Sequence, residues 1–301
     1  MTIAQLINAV TAAECKSINK ASNILYVSQP HLSSSIRALE KELGYTIFIR
    51  QANGVHLTEK GALFLKYARN ILNQYDSMKL LSGQESVRVL HVAASNVYIF
   101  QQAFLKTLRD YQEASILDFQ LRHATPLSII EQIYQGNVML GSTLLTEKAV
   151  KIMLSKMKSY RIQYTKLAEI SSVITLRLGH PLAEGGILSY ERLKNYPFVD
   201  YLGNPVVELA PGISNYVDPS KMIQVGESSM RHMVVSSSDA FSIGCVLPQE
   251  YLDSYHLQAF PLPDFNCQIG LLQSSDNELS AEYNSYITYL QEYIQTLHAD
   301  T

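Results

Sequence analysis

The sequence predicts an α/β chain with a helical N-terminal part and a larger C-terminal part in which strands and helices alternate. Three observations support this prediction. Apolar residues recur at helical spacing through the first eighty residues, with one short β-hairpin pattern among them. Strand and helix patterns then follow one another from Val87 onward. The length of 301 residues is also enough for two or three domains of ordinary size.

The composition is that of a globular protein, with 47% hydrophobic and 17% charged residues. No segment approaches the roughly 18 uninterrupted apolar residues that a membrane span requires, so we expect a cytoplasmic protein without a membrane partner. Cys15, Cys245 and Cys267 are far apart and outside any CxxC spacing. Neither a disulfide framework nor a metal site is therefore expected, and inert thiols are favoured over a redox switch.

Basic residues are concentrated near the N-terminus. Residues 1–90 hold 10 Lys and Arg against 6 Asp and Glu, whereas residues 91–301 hold 14 against 21. The net charges of the two parts are therefore +4 and −7. A polyanionic partner would dock on the N-terminal part.

Three helices are predicted before residue 45. Ser17 is a good cap for the second helix and Ser28 for the third. Pro30 fits the first turn of the third helix, and Gly44 ends that helix. The apolar residues at helical spacing are Ile3, Leu6, Ile7, Val10, Ala13, Ile18, Ala21, Leu25, Leu32, Ile36, Leu39 and Leu43.

A tight turn separates the second and third helices, as in a helix-turn-helix, whose second helix places polar side chains in the major groove of DNA. The polar face of the third helix carries Gln29, His31, Ser33, Ser34 and Arg37. Periodicity alone fits an ordinary helical hairpin with a solvated face equally well. The next segment favours DNA binding, because residues 46–57 predict a β-hairpin that would form a wing.

An ordered set of residues over more than forty positions resembles the signature of LysR-type transcriptional regulators. The matching residues are Ser17 to Ala21, Val27-Ser28-Gln29-Pro30, Leu32-Ser33, Ile36, Leu39-Glu40, Glu42-Leu43-Gly44, Phe48, Arg50 and Leu57-Thr58-Glu59-Lys60-Gly61. The resemblance implies a winged helix-turn-helix domain over residues 1–61 that binds double-stranded DNA. With the polar face and the wing, it predicts DNA contacts at Ser28, Gln29, Pro30, His31, Ser33, Ser34, Arg37, Arg50 and Asn53. Pro30 could instead serve only to start the helix, and Arg50 only as a surface charge.

A long linker helix is predicted to begin after Thr58 and to run to about Ser82, within a linker segment at 58–86 whose last four residues form a hinge. Heptad spacing of its apolar residues lets two copies of the helix pair. These residues are Phe64, Ala68, Ile71, Tyr75 and Met78. The stripe could pack inside one chain, but the resemblance implies a homodimer, which suits an inverted-repeat operator, and further implies tetramers.

Residues 87–301 predict a mainly parallel sheet covered by helices. The predicted strands are Val87 to Ala93, Ile116 to Leu121, Val138 to Gly141, Ser172 to Leu176, Phe198 to Asp200, Met222 to Val225, Phe241 to Leu247 and Cys267 to Gln273. The resemblance, carried here by Gly179 to Ala183, Leu193 to Phe198, Ile243-Gly244 and Leu247-Pro248, implies a two-lobed effector domain similar to periplasmic binding proteins. Lobe 1 is expected at about 87–163 and 267–301, and lobe 2 at about 164–266.

A small-molecule effector is expected in the cleft where the chain crosses between the lobes. Open α/β sheets also place ligands beyond the carboxyl ends of their strands. Strand-end position selects Ser95, Asn96, Thr125, Asp200 and Tyr201. A helix N-terminus beside Ser, Asn and Thr would suit an anionic metabolite, although the sequence indicates no Arg or Lys cluster there. Each residue could equally be a cap or turn residue that satisfies its own backbone.

These features predict a transcriptional regulator whose DNA binding changes when the effector favours one arrangement of the dimer. The sequence has no Gly-rich phosphate loop, GxSxG or HExxH motif, so neither enzyme activity nor a cofactor is expected. The alternative is a solute-binding module without regulatory DNA binding. That alternative would leave the N-terminal helices and hairpin unexplained.

Overall fold

The computed structural model describes residues 1–51, 54–80, 87–202, 215–275 and 278–299. Asn53 and the hinge predicted at 83–86 lie outside these ranges. None of the helices within them is both long and apolar enough to span a lipid bilayer.

The N-terminal head is a helix-turn-helix with a β-hairpin wing. Its elements are α1 (Ile3–Cys15), α2 (Ile18–Ile24), α3 (Gln29–Leu43), β1 (Phe48–Gln51) and β2 (Gly54–Leu57), followed by the linker helix α4 (Glu59–Leu80). The predicted caps are present, since Ser17 accepts a hydrogen bond from the backbone of Lys20 and Ser28 accepts one from His31. Gly44 ends α3 in the left-handed conformation. Apolar side chains from all these elements form one core, which fixes the recognition helix α3 to the wing.

The linker helix differs from the prediction in the face that it leaves open. Phe64 and Ala68 are 7% and 1% exposed, because the first turns of α4 must pack on the head. Their neighbours Leu63 and Tyr67 are exposed, at 44% and 46%, and so are Ile71 and Met78 of the predicted stripe, at 40% and 66%. The predicted heptad stripe is therefore split, and its first two positions pack within the chain.

The C-terminal part alternates strands and helices, as the sequence predicts. In chain order these are β3 (Val87–Ala94), α5 (Tyr98–Asp110), β4 (Ile116–His123), α6 (Pro126–Tyr134), β5 (Leu140–Leu145), α7 (Glu147–Ser159), β6 (Ile162–Arg177), β7 (Phe198–Tyr201), β8 (Met222–Val225), α8 (Ser228–Ser237), β9 (Ser242–Gly244), α9 (Gln249–Ser254), β10 (Leu257–Ser274) and α10 (Ala281–Ala299). Six strands form one sheet in the order β4-β3-β5-β10-β6-β9, and β7 pairs with β8. The predicted α/β class is confirmed.

Two strands, β6 and β10, are longer than predicted and connect the lobes. They span 16 and 18 residues and run antiparallel to each other. The C-terminal end of β10 pairs with β5 in the first lobe, and the C-terminal end of β6 pairs with β9 in the second. The strand β3 is parallel to β4 and β5, whereas β10 is antiparallel to β5 and β6. The sheet is therefore mixed, and the prediction of a mainly parallel sheet is wrong. A register shift between Pro261 and Asn266 marks the crossing.

Candidate functional site

The recognition helix α3 presents most of the residues predicted to contact DNA on one exposed surface. The exposed members are Ser28, Gln29, Pro30, His31, Ser34 and Arg37. Ser33 differs from the prediction, because it is 6% exposed and its hydroxyl lies inside the head rather than on this surface. Arg50 lies in β1, and Asn53 is outside the described residues.

Backbone hydrogen bonds hold the wing against the helices. The backbone N–H of Val55 donates to the carbonyl oxygen of Lys16 at 3.1 Å. From α3, Glu40 Oε1 accepts the backbone N–H groups of Ile47 at 2.7 Å and Phe48 at 3.0 Å. Because Glu40 belongs to the recognition helix, these two bonds fix the wing relative to the surface that would meet DNA.

A cavity of about 110 Å³ lies between the two lobes of the C-terminal part. Of the five residues selected by strand-end position, Ser95, Asn96 and Tyr201 line it. The other two do not. Thr125 caps α6 and accepts the backbone N–H of the third residue beyond it at 3.3 Å. Asp200 is 1% exposed and accepts the backbone N–H of Tyr201 at 2.8 Å, so both have the structural roles that the sequence left open.

Helix α8 supplies two cleft residues that strand-end reasoning missed, Arg231 and His232. The guanidinium of Arg231 lies over the Tyr201 ring, 4.6 Å from its centroid, and Nη1 donates to the carbonyl oxygen of Ile243 at 3.5 Å. Gly244 leaves room for it, because a Cβ there would lie 3.2 Å from Arg231 Nη2. In the sequence, the Arg231-His232 pair precedes Ile243-Gly244 by about a dozen residues. Periodicity alone does not show that this pair lies in the cleft.

Four polar atoms of the cleft have no hydrogen-bond partner among the described residues. They are Ser95 Oγ, Tyr201 Oη, Arg231 Nε and His232 Nε2. Burial, and secondarily the charge of Arg231, lowers the pKa of His232 to about 3, so its ring is neutral at physiological pH. Its Nδ1 lies 2.9 Å from the Tyr251 hydroxyl. Because buried polar groups normally have partners, the four atoms together indicate a place for a polar ligand.

Two cysteines that line the cleft, Cys245 and Cys267, are buried as neutral thiols. Burial raises the pKa of Cys245 to about 12 and also raises that of Cys267. Since the thiolate is the reactive form, we expect iodoacetamide at about pH 8 to alkylate half-buried Cys15 at least about tenfold faster than either, measured by peptide mass spectrometry. Urea-denatured protein is the control, because all three thiols should react alike there. Equal labelling of Cys15 and Cys245 in the folded protein would contradict this burial.

The linker helix α4 contacts the first lobe directly. Lys66 Nζ donates to Ser274 Oγ at 3.3 Å, and Arg69 Nη1 donates to the carbonyl oxygen of Gln135 at 3.3 Å. Gly136 permits this approach, since a Cβ there would lie 2.9 Å from the carbonyl oxygen of Lys66. Ser274 ends β10, and the same strand supplies Phe265 and Cys267 to the cleft, so one strand connects the cleft to the linker helix.

Comparison with known proteins connects the head to a family. Residues 3–62 match the family model described as bacterial regulatory helix-turn-helix protein, lysR family. A probable cat1 operon transcriptional activator of Acinetobacter lwoffii is 30% identical over 146 residues, which cover 47% of this chain and 48% of that protein. The HTH-type transcriptional regulator TfdT of Cupriavidus pinatubonensis is 31% identical over 147 residues, which cover 47% of this chain and 63% of that protein. The chain thus aligns with about half to two thirds of the length of these relatives.

Solved structures share the fold over nearly the whole chain. A full-length OxyR variant from Pseudomonas aeruginosa has a TM-score of 0.58 and 18% identity, covering 98% of this chain and 95% of its own. Full-length LysG from Corynebacterium glutamicum, with the bound effector Arg, has a TM-score of 0.58 and 14% identity, covering 97% of each chain. At these identities the likeness shows a shared fold alone. The head therefore matches the lysR family of bacterial regulatory helix-turn-helix proteins over residues 3–62, and the chain as a whole shares the fold of these two solved structures.

Proposed function

We propose that the protein is a transcriptional regulator that binds double-stranded DNA through α3 and the wing, and that a small effector in the cleft modulates this binding. The main support is the geometry of the head, where an exposed polar helix start is fixed to a hairpin within a segment that matches the LysR-family model. The N-terminal residues of such a helix reach base edges in the major groove. Such a protein would act in the cytoplasm, where the DNA is.

Within this proposal, the first turn of α3 reads the DNA sequence. Gln29 is exposed, and the side-chain amide of a glutamine at this place can accept a hydrogen bond from adenine through its oxygen and donate one through its nitrogen. Arg37 is exposed two turns further along the same helix and would hold a phosphate. Arg50 in β1 is assigned the same role from the wing.

We further propose a homodimer formed through α4. Leu63, Tyr67 and Ile71 are exposed on this helix and line an apolar groove together with Met1 and Tyr45 of the same chain. A contiguous exposed apolar patch of this kind is typical of an interaction surface. Two paired linker helices would present two recognition helices to an inverted-repeat operator, and pairing of such dimers would give a tetramer.

The path from the cleft to α4 supports a coupling between effector and DNA. A ligand that binds one lobe arrangement more tightly would move β10, whose last residue, Ser274, accepts a hydrogen bond from Lys66. A movement of α4 would then change the spacing of the two heads. We assign no enzyme activity, since the proteins similar to this chain are named as transcriptional regulators. The alternative function, a solute-binding module without DNA binding, does not account for the exposed polar surface of α3.

The proposal is tested by fluorescence anisotropy with genomic DNA from upstream of the protein's own gene. We expect salt-sensitive, site-preferring binding that Gln29→Ala weakens by about 1–3 kcal/mol, the value of a good base contact. Gln291→Ala, at an exposed position of α10, is the matched control and should leave DNA affinity unchanged. Wild-type affinity in Gln29→Ala would show that this side chain reads no base. Ligand binding without any preference among DNA sequences would favour the solute-binding alternative.

A further inference from the structure

Among the described residues, the lining of the cleft carries one permanent charge. Of the described residues that line it, Arg231 alone is charged at neutral pH, and none is Asp, Glu or Lys. Much of the remaining wall is apolar, formed by side chains such as Leu144, Ile243, Leu247 and Phe265. The cleft therefore combines a positive group with a mostly apolar wall.

Arg231 has no counter-charge within the described part of the chain. None of the ion pairs among those residues involves it. Its contacts are the neutral carbonyl oxygen of Ile243 and the ring of Tyr201, and its buried Nε has no hydrogen-bond partner among the described residues. A guanidinium in partly dry surroundings is costly unless a negative group pairs with it. An anion is the kind of partner that would offset this cost.

Neutral hydrogen-bond donors surround the same space. Ser95 Oγ and Tyr201 Oη are buried without partners among the described residues, and each can donate a proton. His232 is 1% exposed, and its Nδ1 is 2.9 Å from the Tyr251 hydroxyl. Where that hydroxyl donates to Nδ1, the proton of the neutral ring is on Nε2, which also lacks a partner. Three side chains that can donate and one cation thus line a cleft whose described lining has no acidic side chain.

We infer that the effector is a small monocarboxylate with an apolar body, whose carboxylate pairs with Arg231 and accepts hydrogen bonds from Ser95 and Tyr201. A carboxylate matches the guanidinium in charge and in its two-pronged geometry. The apolar body lies against the wall of the cleft. This inference rests on the proposed function, because it names the chemical class of the ligand at that site.

The test is calorimetric titration of the full chain with three small carboxylates: butanoate, 3-methylbutanoate and benzoate. The amide and the amine of each acid are matched probes that keep the body and change the charge. We expect saturable binding of at least one carboxylate, with its amide and amine at least tenfold weaker. An amide or amine that binds as tightly as its acid, or no binding by any of the three acids, overturns the inference.

Variants assign the charge to Arg231. Arg231→Gln should weaken carboxylate binding at least tenfold, whereas Arg192→Gln, an exposed arginine of the second lobe outside the cleft, should leave it unchanged. Arg231→Lys keeps the positive charge but loses the paired N–H donors of the guanidinium, so its carboxylate affinity should lie between those of the wild type and Arg231→Gln. Circular dichroism establishes that each variant is folded. If Arg231→Gln does not fold, Arg231→Lys and Tyr201→Phe are tested in its place. Wild-type carboxylate affinity in Arg231→Gln, or in these two replacements, overturns the inference.

The same protein samples are assayed for DNA binding, so the two proposals fail separately. Site-preferring DNA binding together with equal binding of acids and amides overturns the carboxylate inference but leaves the proposed regulator function supported. Carboxylate binding that requires Arg231, in a protein without DNA preference, supports the carboxylate inference and counts against the regulator.

Discussion

Replacing Gly61 with alanine is expected to abolish DNA binding by disrupting the junction between the head and α4. A Cβ at Gly61 would lie 2.1 Å from the carbonyl oxygen of Ile47 and 2.9 Å from its carbonyl carbon. Both are backbone atoms, so no change of side-chain rotamer relieves the clash. Thr58 fixes the same junction by donating its backbone N–H to the Ile47 oxygen at 3.0 Å. The head should lose about 3 kcal/mol of stability, the upper end of the usual cost of overpacking.

Thermal denaturation and fluorescence anisotropy with DNA measure this loss. Gly44→Ala is the matched control in the same head: its Cβ would meet no atom within 4 Å, but φ is +74°. That variant should therefore cost only the penalty of a left-handed backbone, about 1–2 kcal/mol. At Gly226 a Cβ would have no atom within 4 Å and φ is not positive, so Gly226→Ala should change the stability little. Wild-type stability and DNA affinity in Gly61→Ala would contradict the packing described for this junction.

The helices and wing of the head could be predicted from the sequence because their signals are local. Ser17, Ser28 and Gly44 cap helices within four residues of their own position, and the strands of the hairpin pair as far as Gln51 and Gly54, on either side of the predicted turn. The apolar stripe of α4 was predicted wrongly in its first half. Helical period alone does not distinguish Phe64 from its neighbour Leu63, since both belong to apolar stripes, and contact with the head decides which one is buried.

The strands β6 and β10 were predicted as fragments because their surroundings change along their length. In β6, every residue from Ser172 to Leu176 is buried, whereas none from Gln163 to Glu169 is. A continuous apolar run is visible in the sequence, and the half-exposed extension that crosses between lobes has no regular alternation. The connection between the lobes is therefore a tertiary feature that periodicity does not reveal.

The candidate effector site could be predicted in part. Ser95, Asn96 and Tyr201 follow strands, so the general rule for α/β sheets leads to them. Arg231 lies within a helix, and its place over Tyr201 depends on how α8 packs against β7. A residue of this kind becomes visible as a ligand-binding candidate only when the fold brings together positions far apart in the sequence, as with Ser95 and Arg231.

Truncation of Tyr286 to alanine is expected to destabilise the C-terminal part by about 3–5 kcal/mol, the usual cost of removing a large buried aromatic side chain. Tyr286 lies on α10 and is completely buried in the larger core of the C-terminal part. Its hydroxyl is 2.9 Å from Ser142 Oγ on β5. The carbonyl oxygen of Ser142 in turn accepts the backbone N–H of Ser95 at 2.9 Å, so a collapse at Tyr286 should also disturb the cleft.

Tyr286→Phe separates the two contributions of this side chain, because it keeps the ring and removes the hydroxyl. It should cost about 1–3 kcal/mol, since the buried hydroxyl of Ser142 loses its partner. Urea unfolding followed by circular dichroism measures the free energy of unfolding of both variants. Titration with small carboxylates shows whether each substitution also weakens binding in the cleft that Ser95 lines. Equal losses for alanine and phenylalanine would assign the stability to the hydroxyl alone. A loss below about 1 kcal/mol in Tyr286→Ala would mean that α10 does not pack on β5 as described, because a completely buried aromatic ring cannot be removed at so small a cost.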